Sequence, residues 1–308
     1  MGSWPGWGFL AITAALILEQ WRPLSERRAL AGALGNFAAW IEQSFNGGER
    51  QQGMVAWLVG VMPALVVVGA LHALLFHLHS MLALAFNVAV LYLTLGFRQF
   101  SHHFTNIQLA VKAGDIERAR QQLDLWHGPS GVVRSREEVI RIAIEEALLA
   151  THRHVFGVLL WYVVLPGPLG AVLYRLAAYF AARWRALGAF GAFAERAFRI
   201  LEWPAVRLTA AAFAVVGDFE DAVYCWRTQA RAWDDPSAGI VLASGAGAMG
   251  VRLGMPLAAA AGGLEPRPEL GTGEPADGPF LDSTVGLLWR ALVLWVFVLI
   301  VLALARTV

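Results

Sequence analysis

Seven ionisable or hydrogen-bonding side chains interrupt otherwise apolar stretches of this sequence: Glu145, His152, Arg153, Tyr174, Arg175, Arg207 and Arg290. Such groups in or beside a membrane segment are costly to bury, so they face cavities or one another. Snorkelling and structural ion pairs are the plain account of them. The functional account is a polar cleft open to the cytoplasm, lined by Glu145, His152, Arg153, Tyr174, Arg175 and Arg207. Arginines pair well with phosphate and carboxylate, so the chemistry on offer is capture of a small anionic ligand. No catalytic residue, metal ligand or cofactor is expected.

Other spacings that could carry chemistry are weaker. Gly245, Gly247 and Gly250 spell GxGxxG after a strand-like Gly239–Ala243, with Glu265 downstream. A dinucleotide site needs that loop inside a strand–helix–strand unit, whereas Pro256 and a Pro-rich stretch follow it here. Close helix packing through small residues is the expected role. His102-His103 and His152/His154 sit one and two residues apart, and such neighbours do not share a helix face. Interfacial or hydrogen-bonded histidines are therefore expected rather than a metal site. The chain has no GxxxxGK[ST] phosphate loop and no Gly-x-Ser-x-Gly elbow. Its one cysteine, Cys225, excludes an intrachain disulfide and a cysteine-cluster metal site.

The elements that must position these residues are membrane segments. Hydrophobic residues make up 57% of the 308 and charged residues 15%, with a mean hydropathy of +0.54. Soluble chains average about 45–50% and about 25%, so this is a membrane protein's composition. A formal charge of +1 offers nothing to nucleic acid. The organising stretch is Val155–Trp184, two apolar halves joined by a break at Pro166–Gly170. Prolines there cannot donate backbone hydrogen bonds and the glycines relax the chain. Val155–Leu165 alone is too short to span, since a helix needs about 20 apolar residues. Broken helix at membrane depth requires surrounding protein or a water-filled cavity, so a re-entrant hairpin is expected.

Around it, Phe9–Leu18 is a short apolar segment with interfacial residues at Trp4–Trp7, Trp21 and Arg22. It is expected as an uncleaved first membrane segment, and Ser25–Gln52 as an amphipathic helix. Met54–Leu78 and Met81–Phe97 form a tight membrane hairpin about His79-Ser80. In the polar region, Phe100, Phe104, Ile107 and Val111 recur at helical spacing before Gly114 stops the helix. Asp115 is placed to cap the next helix, with Ile116, Ala119, Leu123 and Trp126 as its stripe. After a turn at His127–Gly131, Ser135 and Glu138 have capping-box spacing. Arg98, Lys112, Arg118, Arg120, Arg134, Arg136, Arg141 and Arg153 favour the cytoplasmic side. Arg183, Arg185, Arg196, Arg199 and Arg207 follow the break, and re-entry returns them there. Leu208–Val216 is half a span, Pro266–Pro279 a linker without a packing signal, and Gly286–Ala305 a final membrane helix.

Several motifs resemble the membrane-bound CobD/CbiB family, in order over most of the chain. They are GDIERAR at Gly114–Arg120, IRIAIEEALLATHRHVFGVLLW at Ile140–Trp161, GPLGAVLYRL at Gly167–Leu176, LEWPAVRL at Leu201–Leu208 and GAMGVRLGMP at Gly247–Pro256. The resemblance implies an adenosylcobinamide-phosphate synthase, which joins an aminopropanol phosphate to a corrinoid carboxylate using ATP. Departures fall where that chemistry should reside. Glu145 matches the family's first conserved Glu, but its Glu-Asn pair is Leu149-Ala150 here and its Asp is Arg153. An Asn-Thr-Leu-Asp-Ser stretch is replaced by Ala178–Ala182, and an acidic pair by Phe198-Arg199. Mg-nucleotide binding needs carboxylates, so these losses argue against synthase activity. They resemble instead the AmpE branch, linked to β-lactamase induction.

The resulting expectation is an all-α integral membrane protein of the inner membrane, multi-pass, with a broken, re-entrant central hairpin and a cytoplasmic helical domain. Its divisions are 1–97 (membrane segments with an amphipathic region at 21–53), 98–154 (cytoplasmic), 155–263 (broken-helix core), 264–285 (linker) and 286–308 (last helix). The leading functional expectation is a catalytically degenerate regulatory or sensing protein with a basic cleft. The alternative is a synthase-like, amide-forming enzyme of cobalamin biosynthesis, and the third a structural subunit. Expected partners are membrane lipids, a small anionic ligand, and a protein partner or second copy, but no nucleic acid.

Overall fold

Local signals in the sequence set most of the helix ends in the computed structural model, which describes residues 4–21, 27–128, 132–258 and 263–305. Side chains at 4–7, 20–21, 27–31, 97–99 and 302–305 also fall outside the described set. The interfacial roles read for Trp4–Trp7, Trp21 and Arg22, and the charge of Arg98, therefore lie outside the described residues, as do positions 129–131 of the expected turn. In chain order the first helices are α1 (Trp4–Trp21), α2 (Arg27–Phe45), α3 (Arg50–Leu78), α4 (Ser80–Thr94), α5 (Phe97–Lys112) and α6 (Ile116–His127). Then come α7 (Arg136–Thr151), a π-helical turn (His152–Phe156), α8 (Gly157–Val164), α9 (Leu169–Trp184) and α10 (Ala192–Val216). The last are α11 (Phe219–Thr228), α12 (Pro236–Met249) and α13 (Gly278–Ala305).

Asp115 caps α6 by accepting a hydrogen bond from the Arg118 amide at 3.0 Å. Ser135 and Glu138 form the capping box of α7, with bonds of 2.7 and 3.2 Å. His79 divides α3 from α4: its amide still bonds the Leu75 carbonyl at 2.9 Å. Its Nδ1 then accepts from the Met81 amide at 3.2 Å.

The chain divides into two compact units. One takes Met1–Gly96, Gly157–Pro204 and Leu299–Val308. Its core gathers Ile41, Trp57, Val61, Phe180, Trp184 and Phe190 from α2, α3, α9 and the turn after α9. Glycines permit the closest approaches. A Cβ at Gly60 would lie 2.7 Å from the Phe180 ring, and one at Gly170 would overlap the Trp161 carbonyl. A Cβ at Gly157 would overlap the Tyr174 ring. These two pairings, 157 with 174 and 161 with 170, make α8 and α9 an antiparallel hairpin. Gly167, at φ +66°, supplies the left-handed turn residue in the break between them.

The other unit takes Phe97–Phe156 and Ala205–Val298. Phe100, Phe104, Ile107 and Val111 are buried, as their spacing requires, together with Ala119 and Leu123 of α6. Gly245 and Gly247 lie within α12, not in a loop after a strand, because Gly239–Ala243 is helical too. A Cβ at Gly245 would meet Leu148 at 2.8 Å, and one at Gly247 would overlap the Asp221 carbonyl. Small residues thus serve close helix packing, and the dinucleotide reading has no strand to stand on. Gly250, at φ +66°, ends the helix.

Two other readings are corrected. Val155–Leu165 is not a short isolated half-segment. It continues α7 through the π turn in one run, Arg136–Val164, of 29 residues. The stretch read as an unpacked linker carries strands. β1 (Val251–Gly254) pairs antiparallel with β4 (Glu269–Leu270) and parallel with β5 (Glu274–Pro275). β2 (Leu257–Ala258) pairs antiparallel with β3 (Leu264–Glu265). Leu270 and Ala276 are buried, and α13 begins at Gly278, earlier than its apolar run. Strands this short have no periodicity to detect; their pairing is non-local.

Three of the described helical runs are long and apolar enough to cross a membrane: Arg50–Leu78, Arg136–Val164 and Gly278–Val301. The molecule is an all-α membrane protein with a small β-structured insertion. Packing at Gly247 should therefore be intolerant. Gly247→Ala is expected to lower stability by about 1–3 kcal/mol, whereas Gly286→Ala, with open space around it, should be neutral or stabilising by up to about 1 kcal/mol. Thermal unfolding of the purified variants in detergent checks both.

Candidate functional site

The N-terminal half of α7 is strapped by the β-structured segment. Glu145 is buried. Its carboxylate accepts from the Gly254 amide at 2.8 Å and pairs with Arg267. The Arg267 guanidinium also lies 4.7 Å above the Trp233 ring. One turn earlier, buried Arg141 donates to the Pro256 carbonyl at 3.3 Å and pairs with Glu137 at 3.6 Å. Glu138, already part of the capping box, accepts from the Ala258 amide at 3.2 Å. A buried charge is tolerated only when paired and hydrogen-bonded, and each of these acids meets that condition.

The neighbouring face of α7 opens on a cavity of about 270 Å³ lined by Phe100, His103, Leu125, Trp126, Glu146, Leu149, Ala150, Arg153 and His154. Glu146, Leu149, Ala150 and Arg153 stand at i, i+3, i+4 and i+7, which places them on one helix face. Across from them, the rings of Phe100 and His103 lie nearly parallel to Trp126, at 6.5 and 6.3 Å between centroids. Burial, and then the neighbouring His102, push the His103 imidazole below its ordinary pKa. Its Nδ1 is buried and makes no hydrogen bond among the described residues. His127 holds Glu146 at 2.8 Å, and that hydrogen bond raises the His127 pKa against the opposing effect of burial. Arg153 reaches Asp235 at 3.5 Å.

The six residues expected to share one cleft have these places. Glu145, His152, Arg153 and Arg207 belong to one compact unit, Tyr174 and Arg175 to the other. Within the first, Glu145 faces the strap, while buried His152 pairs through Nδ1 with Thr209 Oγ1 at 2.9 Å. Arg153 alone of the six lines the cavity. Tyr174 is buried against Gly157 and Phe198, its ring 5.5 Å from the latter. Arg175 and Arg207 are half-buried. Glu146, His103, His154 and Trp126 were not expected there. The i, i+7 spacing of Glu146 and Arg153 carried that signal. Arg267 lay in an apparent linker, where nothing pointed to α7.

The sequence model of the family described as CobD/Cbib protein matches residues 13–305. The chain belongs to the CobD/CbiB family. Two curated relatives are each named "Cobalamin biosynthesis protein CobD". That of Stutzerimonas stutzeri (strain A1501) is 34% identical over 300 residues, covering 95% of this chain and 97% of the relative. That of Chromobacterium violaceum is 34% identical over 309 residues, covering 93% and 94%. No solved structure matches. These findings overturn the regulatory, AmpE-like reading. Relatives that match nearly end to end carry a biosynthetic name.

The CobD/CbiB resemblance also implies a magnesium–nucleotide complex. The cavity fits a divalent cation poorly: the matched positions are Leu149, Ala150 and Arg153, two apolar and one cationic. Glu145 is held by Arg267 and Glu146 by His127. Among the described residues no group of three or more His, Cys, Asp or Glu side chains could hold a metal.

Removing one partner of the buried pair should be severe. Arg267→Ala is expected to cost about 3–5 kcal/mol by leaving Glu145 charged and unpaired, and Glu145→Gln in that background should recover part of it; thermal unfolding of both variants is the readout. The His127–Glu146 contact has a pH signature. A histidine with a raised folded pKa adds stability that is complete below its unfolded value, near 6.5, and lost as pH rises through the folded one. His127→Gln should therefore lower stability by about 0.2–1 kcal/mol at pH 6 and by much less at pH 9.

Proposed function

We propose that this chain is an adenosylcobinamide-phosphate-synthase-like membrane protein of cobalamin biosynthesis, forming an amide between a phosphorylated amino alcohol and a corrinoid carboxylate. What carries the reading is the cavity. The α7 face with Leu149, Ala150 and Arg153, where the family resemblance puts a Glu-Asn pair and an aspartate, lines it together with two histidines and Trp126. The near-complete length match to two relatives named for cobalamin biosynthesis supports the same reading.

In this reading Arg153 and His154 hold the phosphate of the amino alcohol as a charge-assisted pair. The carboxylate is first activated as an acyl phosphate by the nucleotide. The amine attacks that carbon only as the free base, so its ammonium must lose a proton, and inorganic phosphate leaves as the amide forms. His103, half-buried and with its imidazole held below its ordinary pKa by desolvation, accepts that proton. Trp126 and Phe100 cover the site and exclude water. No step is assigned to a metal, since the residues present do not fit one.

The membrane arrangement belongs to the same proposal. The α8–α9 hairpin re-enters the bilayer about its Pro-Gly break, and 98–154 faces the cytoplasm of a multi-pass inner-membrane protein. The arginines of 98–153 and of 183–207 support that orientation. The remaining divisions, 1–97, 155–263, 264–285 and 286–308, are kept as functional regions. Membrane lipids, an anionic substrate, and a protein partner or second copy are the partners proposed, and nucleic acid is not. Glu145, His152 and Arg207 are assigned to supporting the site, and Tyr174 and Arg175 are kept as ligand-binding candidates of the other unit.

Expression in a bacterial strain lacking its cobinamide-phosphate synthase tests this, with growth on cobinamide as readout. Rescue by the wild-type chain is expected, with Arg153→Glu and His103→Ala each lowering it at least tenfold at equal membrane levels. No rescue by the wild type, or full rescue by both variants, overturns the reading.

A further inference from the structure

The first half of α10 carries a face that the rest of its unit leaves uncovered. Arg196, Arg199, Ile200 and Trp203 fall at i, i+3, i+4 and i+7, on one side of the helix. Both arginines are exposed, Ile200 is 65% exposed and Trp203 58%. The opposite side is fixed inward: Ala194 is fully buried in the core, and Trp161 Nε1 donates to the Leu201 carbonyl at 2.9 Å. Of the acidic groups nearby, Glu195 borders this face one turn before Arg199. Glu202 is buried, and Glu195 is half-buried and within 3.9 Å of Arg185. The face therefore presents two cations, one aromatic and one aliphatic side chain, with no exposed carboxylate among the described residues of 192–204.

α10 is not among the described runs apolar enough to span, and Glu195, Arg196, Arg199, Glu202 and Arg207 explain why. A helix that cannot span but exposes tryptophan and isoleucine beside arginines has the composition of one lying in the interfacial plane. There the tryptophan sits at headgroup level and the arginines meet lipid phosphates. A neutral protein partner would account for Ile200 and Trp203 but not for the two exposed cations beside them. We propose that the Arg196–Arg199–Ile200–Trp203 face is a docking surface for anionic phospholipid headgroups. It requires nothing of the cavity, so either can fail alone.

The test uses the full chain purified in detergent. Phosphatidylglycerol or phosphatidylcholine is titrated in, and bound lipid is counted by native mass spectrometry beside the thermal midpoint. The wild type is expected to bind phosphatidylglycerol at least tenfold more tightly than phosphatidylcholine and to gain thermal stability from it. Arg196→Glu/Arg199→Glu should lose that preference, and Arg196→Lys/Arg199→Lys should keep most of it. Brominated phosphatidylglycerol should quench wild-type fluorescence more than that of Trp203→Phe. Equal affinity for the two lipids, an unchanged preference in the Glu variant, or loss of a co-purifying protein with lipid preference intact would each overturn the proposal. If the double variant misfolds by circular dichroism, the Trp203→Phe quenching difference decides alone.

Discussion

The carboxylate of Glu145 is the constraint from which the arrangement around α7 follows. An isolated charge moved out of water is strongly disfavoured, so this position is tolerable only while donors surround it. The donors come from more than one hundred residues downstream: the Gly254 amide and the Arg267 guanidinium. Satisfying one acid thus closes a long loop and presses the β-structured segment onto α7. Arg141 and Glu138 repeat the device one and two turns earlier. Buried ion pairs are weak evidence for stability, since desolvation can offset their attraction. Removing one partner, by contrast, strands a buried charge.

That strap explains a division of labour along one helix. Glu145 and Glu146 are adjacent in sequence and about 100° apart around the axis. The first serves the strap, and the second, held by His127, lines the cavity. The π-helical turn at His152–Phe156 follows directly. It inserts an extra residue into the helical ladder, a feature frequent at functional sites, and it lies where Arg153 and His154 reach the cavity while His152 turns to Thr209. The groups that hold the fold and those that line the cavity thus lie on different faces of the same helix.

Loss of acidic residues at matched positions concerns how nucleotide and metal would be held. End-to-end similarity to relatives named for cobalamin biosynthesis concerns the pathway as a whole. The cavity carries Arg153 where the family resemblance places an aspartate, beside His103 and His154.

Much was legible in the sequence where the physics is local. The caps at Asp115 and Ser135, the stop at Gly114, the apolar stripe of α5 and the hairpin at His79 follow from one or two turns of chain. The break at Pro166–Gly170 follows from the missing amides of proline. Membrane character follows from composition, and the family from the order of its motifs. What tertiary structure decided was non-local. It made Val155–Val164 the end of a 29-residue helix, placed Gly245 and Gly247 in helix packing, and turned an apparent linker into strands that satisfy Glu145. Strands of two residues have no periodicity, and a buried charge does not announce its partner. Only folding brings Arg267 to Glu145, because only a buried carboxylate makes that long loop worth closing.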